Sequence, residues 1–120
     1  MIRRFVRSVI QNATVTHGDG PWPVSIRIDP VLLRSADLRP FEEVEIVNTS
    51  TGVRWHSWAM PGSEGTGEVR VRSGQAEHAR AGDLVSIVSY GLLHDGQTLG
   101  HKAKVLTLDA ANRVVSLVEE

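Results

Sequence analysis

The sequence contains no cysteine, and this absence removes several kinds of chemistry at once. Disulfide bonds, thiolate nucleophiles and cysteine metal sites are all excluded. An excess of charge of one sign is also missing, because 13 basic and 14 acidic residues give a formal net charge of −1. Proteins that bind nucleic acid or anionic membranes usually carry a basic excess. We therefore expect neither nucleic acid nor a membrane among the partners of this protein.

Long apolar segments are absent as well, and no run approaches the roughly 18 residues that a membrane-spanning helix needs. The opening segment MIRRFVRSVIQNA combines charges with apolar residues, but Arg7 interrupts its apolar part and no typical cleavage site follows. We interpret this segment as a strand of the mature protein and expect a cytoplasmic location. A chain of 120 residues, 41% of them hydrophobic, fits one domain that covers residues 1–120.

What the sequence does contain is repeated alternation with a period of two residues. Short segments rich in Val and Ile, bounded by Gly, Pro, Asn or Asp, predict strands. They cover residues 25–29, 44–48, 53–60, 68–72, 84–90, 102–108 and 113–118. Two short helices are predicted at 30–38, with Pro30 in the first helical position, and at 74–80. Many short strands with little helix indicate an all-β barrel or sandwich, whose exposed edges favour oligomerisation.

The usual signatures of metal sites and serine hydrolases are missing. The five histidines show no spacing that would begin a metal site, and there is no GxSxG motif. The glycine-rich segment at 62–67 follows a strand without a helix after it, so we interpret it as a turn and not as a phosphate loop. We therefore predict no metal site.

The tryptophans are more informative, because aromatic residues make up only 5% of the chain and two of its three tryptophans lie on one predicted strand. Alternation places Arg54, His56 and Trp58 on one face of this strand, and Trp55 and Ser57 on the other. A face with arginine and histidine suits a pocket or interface that holds a carboxylate beside an aromatic wall. The alternative is that Trp58 packs in the core while Arg54 is solvated.

Several motifs together resemble those of the aspartate 1-decarboxylase family. In order they are MIR, VTHGD, SIRID, VEIVNTSTGVRWHSW, AGDLVSIVSY and KAKVLTLDAANRV, and the resemblance runs from Met1 to about Val114. It implies a double-psi β-barrel with short helices, assembled as a homotetramer with active sites between subunits. It also implies that the chain cuts itself between Val24 and Ser25 and converts the serine to a pyruvoyl group. That group serves as an electron sink while the substrate loses CO₂.

The resemblance also assigns the site residues, several of which depart from the family pattern. Arg54 and Ser25 keep the family's residue, and Ser57 stands where the family has the threonine needed for processing. The departures are Val9 for a carboxylate-binding lysine, Gln11 for a nearby histidine, Trp22 and Trp58 for tyrosines, Val24 for the glycine before the cut bond, and Arg72 for an asparagine. The small-residue run that follows Arg72 reads SGQA and contributes Gly74 and Gln75 to the implied site.

These departures favour one hypothesis over two others. A β-branched Val24 resists backbone angles that glycine permits, and Trp58 has no acidic hydroxyl, so aspartate decarboxylation becomes doubtful. The favoured hypothesis is an unprocessed enzyme of specialised metabolism, without pyruvoyl, that acts on a larger and more apolar carboxylate. Its chemistry would fall to His56, Ser25 or Ser57, and its ligand would lie against Arg54, Trp22 and Trp58. The alternatives are a genuine pyruvoyl-dependent decarboxylase of aspartate type and a non-catalytic binding subunit.

Overall fold

The computed structural model describes residues 1–18, 24–72 and 78–120, and these residues are mainly strands. The strands are β1 (Ile2–Thr14), β2 (Ser25–Ile28), β3 (Glu43–Asn48), β4 (Arg54–Pro61), β5 (Val69–Arg72), β6 (Leu84–His94), β7 (Lys104–Leu108) and β8 (Val114–Glu119). One helix, α1 (Pro30–Ala36), follows β2, and a 3₁₀ turn covers Asp95–Gln97. No helix among the described residues is long and apolar enough to cross a membrane.

The strands form one curled sheet in the order β5-β2-β4-β3-β6-β1-β7-β8. β2 runs parallel to β4, and β1 runs parallel to β7, while the other pairs are antiparallel. The chain that leaves β1 then meets β5, because Thr16 N donates to Val69 O at 2.8 Å and Val71 N donates to His17 O at 2.8 Å. These contacts close the curled sheet. The predicted all-β fold is confirmed, and the arrangement is consistent with a double-psi β-barrel.

The core lies on the inner face of this sheet, where the alternating strands point their branched side chains. Fully buried residues come from nearly every strand and from the inner side of α1. Examples are Ile10, Ile26, Ile46, Ile87 and Leu106. The register of the strands aligns three of them, because Ile46 faces Ile87 and Ile87 faces Ile10 across adjacent strands. The opening segment of the chain is therefore a strand, as its sequence predicted, and the structure places it between β6 and β7 in the sheet.

The second predicted helix, at 74–80, is not seen where the structure can test it. Residues 73–77 lie outside the described residues, and residues 78–80 are not helical. Their backbone groups bond elsewhere: His78 O accepts from Asn48 Nδ2 at 2.9 Å, and Arg80 N donates to Asp83 Oδ2 at 2.9 Å. A tertiary hydrogen bond to Asn48 and a local turn closed by Asp83 thus replace the intrahelical bonds that the composition of this segment favoured.

Helix α1 is fixed at its start by Asp29, which is 4% exposed. Pro30 occupies the first helical position as predicted, and the Asp29 carboxylate caps the helix by accepting from Val31 N at 2.9 Å. The same carboxylate accepts from Gly65 N at 3.0 Å and from Gly67 N at 2.8 Å. Asp29 therefore ties the end of β2, the helix and the glycine-rich turn into one unit.

The charge state of Asp29 follows from these contacts. Burial alone would raise the pKa of this carboxyl, but the backbone hydrogen bonds from Gly65, Gly67 and Val31 outweigh it and lower the pKa below 3.8. Gly67 has to be glycine here, because its φ is +74° and an added Cβ would lie 2.6 Å from Ala111 O. The turn at 61–67 is thus held by a carboxylate on one side and packed backbone on the other.

We expect Asp29→Asn to lower the free energy of unfolding by about 1–3 kcal/mol, because the amide cannot accept all three backbone hydrogen bonds. Since folding lowers the pKa of Asp29, its contribution is present above pH 3.8 and is lost as pH falls through the folded-state pKa. Urea unfolding at neutral and acidic pH measures both effects. Glu119→Gln, at an exposed position of β8, is the matched control. Equal stability of Asp29→Asn and the native protein at neutral pH would contradict this account.

Candidate functional site

Ser25 is the first residue of β2, and it is only 4% exposed. β2 lies between β4 and β5 in the sheet, so Ser25 has a neighbouring strand on each side. On the β5 side Ser25 faces Arg72 directly. The structure thus brings together two residues that the resemblance assigned to the site.

On the other side the parallel register with β4 brings two further candidates close. Ile26 faces Ala59, and continuing this register backward places Ser25 beside Trp58 and Val24 beside Ser57. Ser57 is 3% exposed, and its hydroxyl has no hydrogen-bond partner among residues 1–18, 24–72 and 78–120. A buried hydroxyl normally has a hydrogen-bond partner. Because the Ser57 hydroxyl has none among the described residues, it can donate to a neighbouring backbone carbonyl. By the register, Ser57 lies between Val44 on β3 and Val24 on the β2 side, so the Val24–Ser25 peptide bond is one of its two neighbouring backbone segments.

The predicted alternation of β4 is confirmed. Arg54, His56 and Trp58 are exposed on the outward face, whereas Ser57 is buried. Trp58 is 36% exposed, so the alternative in which it packs in the core is wrong. Trp55 points inward and stacks on His78 with ring centroids 4.7 Å apart.

Val9 lies on the same outward face but far from Arg54 and His56. The register aligns His56 with Glu45, Glu45 with Val88, and Val88 with Val9 on successive strands. Three strand spacings separate His56 from Val9, or roughly 14 Å along the sheet. Within one chain the structure therefore does not bring Val9 into a common pocket with these residues. Trp22, Gly74 and Gln75 lie outside the described residues.

The structure reveals a cluster around Tyr90 that sequence reasoning missed. The Tyr90 hydroxyl donates to Glu45 Oε1 at 3.0 Å, and Glu45 Oε2 lies 3.8 Å from His56 Nε2. The guanidinium of Arg4 lies 3.8 Å from the centroid of the Tyr90 ring. These residues line a cavity of about 310 Å³ on the outward face. The available signal was the outward position of Glu45 and Tyr90 on two alternating strands, but no local pattern shows that these strands are neighbours.

The surroundings of Tyr90 determine its protonation. Burial raises the pKa of this phenol, and the hydrogen bond to the Glu45 carboxylate raises it further. Arg4 and Arg54 act in the opposite direction, with smaller effects. Tyr90 therefore stays protonated at neutral pH and holds Glu45 in place beside His56. Across the ranges 1–18, 24–72 and 78–120, no group of three or more side chains is arranged to hold a metal ion.

Comparisons with known proteins place the chain in one family. The family model for aspartate decarboxylase matches residues 1–115. A protein of Listeria monocytogenes serovar 1/2a named aspartate 1-decarboxylase is 34% identical over 120 residues, which cover 100% of this chain and 94% of the relative. A protein of Methylibium petroleiphilum with the same name is 35% identical over 117 residues, with 98% of each chain covered. The chain belongs to the aspartate decarboxylase family.

Tyr90 is the single tyrosine of the chain, so its ionisation can be followed directly by ultraviolet absorbance. We expect its midpoint to lie above pH 10.0, the ordinary value, because burial and Glu45 both disfavour the phenolate. Glu45→Gln should lower the midpoint, since it removes the neighbouring negative charge. Glu43→Gln, in the same cavity but without a bond to Tyr90, is the control. A midpoint that Glu45→Gln leaves unchanged would show that the contact does not form.

Proposed function

We propose that the protein is a self-processing amino-acid decarboxylase in which Ser25 is the processed residue. The observation that carries this proposal is the buried hydroxyl of Ser57, which has no partner in the described part of the chain and lies at the level of the Val24–Ser25 bond. The names of the relatives, aspartate 1-decarboxylase, point to the same activity. The names of the relatives do not favour the unprocessed enzyme that the sequence departures suggested.

Processing would use atoms that this chain supplies together with one water molecule. The Ser25 hydroxyl attacks the carbonyl carbon of Val24, the peptide C–N bond breaks, and an ester joins the two residues. Removal of the Ser25 α-proton then expels the Val24 carboxylate. Water replaces the nitrogen of residue 25, ammonia leaves, and a pyruvoyl group remains at the new terminus. Val24 takes part only through its carbonyl, so its side chain restricts the backbone without blocking the chemistry.

The residues present fit this group. Ser25 provides its atoms, and the Ser57 hydroxyl is available to donate to the Val24 carbonyl and so stabilise the oxyanion that forms on attack. A pyruvoyl group supplies a carbonyl that binds an amine covalently and accepts electrons as CO₂ leaves.

Substrate recognition would rest on the outward face of β4. Arg54 is exposed there and can bind a carboxylate through paired hydrogen bonds. Trp58 offers apolar surface beside it but no acidic proton. On this strand His56, which faces Glu45, is the exposed group that can transfer a proton. The substrate class that fits best is an α-amino acid with a second carboxylate, in agreement with the names of the relatives.

A homotetramer with sites between subunits is part of this proposal. Val9 and Arg54 lie on the same outward face but too far apart to share a ligand within one chain. That face also exposes Leu92, which is 71% exposed, and the edge strand β8 exposes Val115 and Leu117. Exposed edges and apolar surface of this kind are commonly covered by other subunits. We also keep a cytoplasmic location as part of the proposal.

Light scattering of the purified protein should give a mass of about four times the 13.1 kDa of one chain. Leu92→Glu should reduce this mass, because it introduces charge into apolar surface that we expect to be covered. Leu99→Glu is the matched control, since Leu99 is also exposed but lies beyond β6. A native protein of 13.1 kDa at micromolar concentration would contradict the tetramer.

A second candidate is the unprocessed enzyme, and one observation speaks for it. Val9 lies between Val88 and Val105 on adjacent strands, which makes this part of the outward face apolar. Together with Trp58, such a surface suits a larger and more apolar carboxylate than aspartate. This candidate requires that Ser25 remains a serine.

A denaturing intact-mass spectrum separates the two candidates. If Ser25 is processed, two fragments divided between Val24 and Ser25 should together weigh about 1 Da more than the intact chain, not about 18 Da more as in ordinary hydrolysis. Ser25→Ala should abolish the cut, and Val24→Gly should speed it, because glycine frees the backbone. CO₂ release from L-aspartate and from aromatic amino acids then identifies the substrate. A single native species near 13.1 kDa after long incubation would contradict the proposed function and favour the unprocessed enzyme.

A further inference from the structure

Three arginines share the outward face of β2 and β5. Arg27 faces Arg70 directly across the two strands, and Arg72 faces Ser25 in the same ladder. The side chains of such directly opposed residues start about 5 Å apart. All three arginines are partly buried and not fully solvated. Like charges placed directly opposite each other on a sheet are destabilising, so this arrangement calls for a compensating anion.

Within the described ranges, the charged groups around these arginines supply only part of that compensation, through one ion pair. The Nε atoms of Arg27 and Arg70 are buried and have no hydrogen-bond partner. The carboxylate within 4.0 Å is that of Glu68, whose Oε2 lies 3.7 Å from Arg70 Nε. Its other oxygen, Oε1, already accepts from Ser63 N at 2.6 Å. A charged donor that is buried without a partner is costly, which makes these Nε atoms candidates for ligand contact.

The strand on the other side of β2 brings no acid either. Arg27 faces Met60 on β4, and the parallel register places Trp58 beside Ser25. At the outer edge of the group, Arg70 and Glu68 line a cavity of about 290 Å³ together with His17, Ser63 and two threonines. The ion pairs among the described residues include neither Arg27 nor Arg72, so positive charge exceeds negative charge beside Ser25.

We propose that Arg27, Arg70 and Arg72 form an oxyanion subsite that binds an anionic group of a ligand beside Ser25. Guanidinium groups bind carboxylates and phosphates through paired, charge-assisted hydrogen bonds, so both are in the class that the subsite takes. Arg72 lies opposite Ser25 and Arg27 two residues further along β2, so a ligand at residue 25 is within reach of both. This inference rests on the proposed function and deepens it, since it gives an anionic group of the substrate a second cationic contact, away from Arg54.

The test measures binding of two probes, succinate and inorganic phosphate, by calorimetry at constant ionic strength set with chloride. We expect saturable binding of at least one probe to the native protein. Preference for succinate identifies a carboxylate ligand, and preference for phosphate identifies a phosphate ester. Arg27→Ala and Arg70→Ala should each weaken binding about tenfold or more, because each removes a charged donor. Arg39→Ala, at an exposed site outside these strands, should bind like the native protein.

Melting temperatures show whether the variants fold and provide a second readout. Without an anion, Arg27→Ala should melt at or above the native temperature, because it relieves the opposition of Arg27 and Arg70. The preferred probe should raise the melting temperature of the native protein and have little effect on this variant. A merely structural role for Arg27 would give the opposite result, a lower melting temperature with unchanged binding.

The same measurements on Ser25→Ala separate this proposal from the proposed function. Binding that persists in Ser25→Ala and depends on Arg27 and Arg70 supports the subsite even if the native chain is never cut. Conversely, CO₂ release by a native protein that binds neither probe would leave the proposed function intact and overturn the subsite. Equal binding by the native protein and the two arginine variants would also overturn it.

Discussion

The site depends on how β2 is held between β4 and β5. β2 is only four residues long, yet it pairs in parallel with β4 and antiparallel with β5, and Asp29 anchors its far end through three backbone N–H groups. Because side chains alternate with a period of two, a slip of one residue would turn Ser25 and its neighbours to the other face. The buried carboxylate and the two ladders together fix the register that sets Ser25 beside Arg72 and Val24 at the level of Ser57.

The two faces of the sheet explain how the residues of the site can differ from the family pattern while the barrel stays the same. The inner face of the sheet is filled by branched residues such as Ile26, Ile46 and Ile87, and changes there would open cavities. The outward face has no such constraint, and it is where charged and aromatic residues collect. Two centres lie on it: the arginines of β2 and β5, and the Tyr90–Glu45–His56 cluster on β6, β3 and β4. Substitution on this face changes what the protein can bind while leaving the barrel intact.

The sequence predicted local features correctly but did not predict contacts between residues that are distant in the chain. The alternation of β4 predicted correctly that Arg54 and Trp58 face outward, and Pro30 correctly marked the first turn of α1. The helix expected at 74–80 is not formed in its described part because Asn48, distant in sequence, bonds the carbonyl of His78, and Asp83 closes a local turn on Arg80. The Glu45–Tyr90 contact was missed for the same reason, since it joins strands that are 45 residues apart in the chain.

By itself the sequence determined the all-β class, the faces of the strands, the start of α1 and the resemblance that points to the family. These follow from properties of neighbouring residues: alternation, proline geometry and ordered motifs. Only the tertiary structure decided that Arg27 opposes Arg70, that Arg72 faces Ser25 and that Val9 lies three strands from His56. The physical reason is that strand neighbours and register arise from pairing between distant segments, and period-two alternation gives the face of a residue but not its partner.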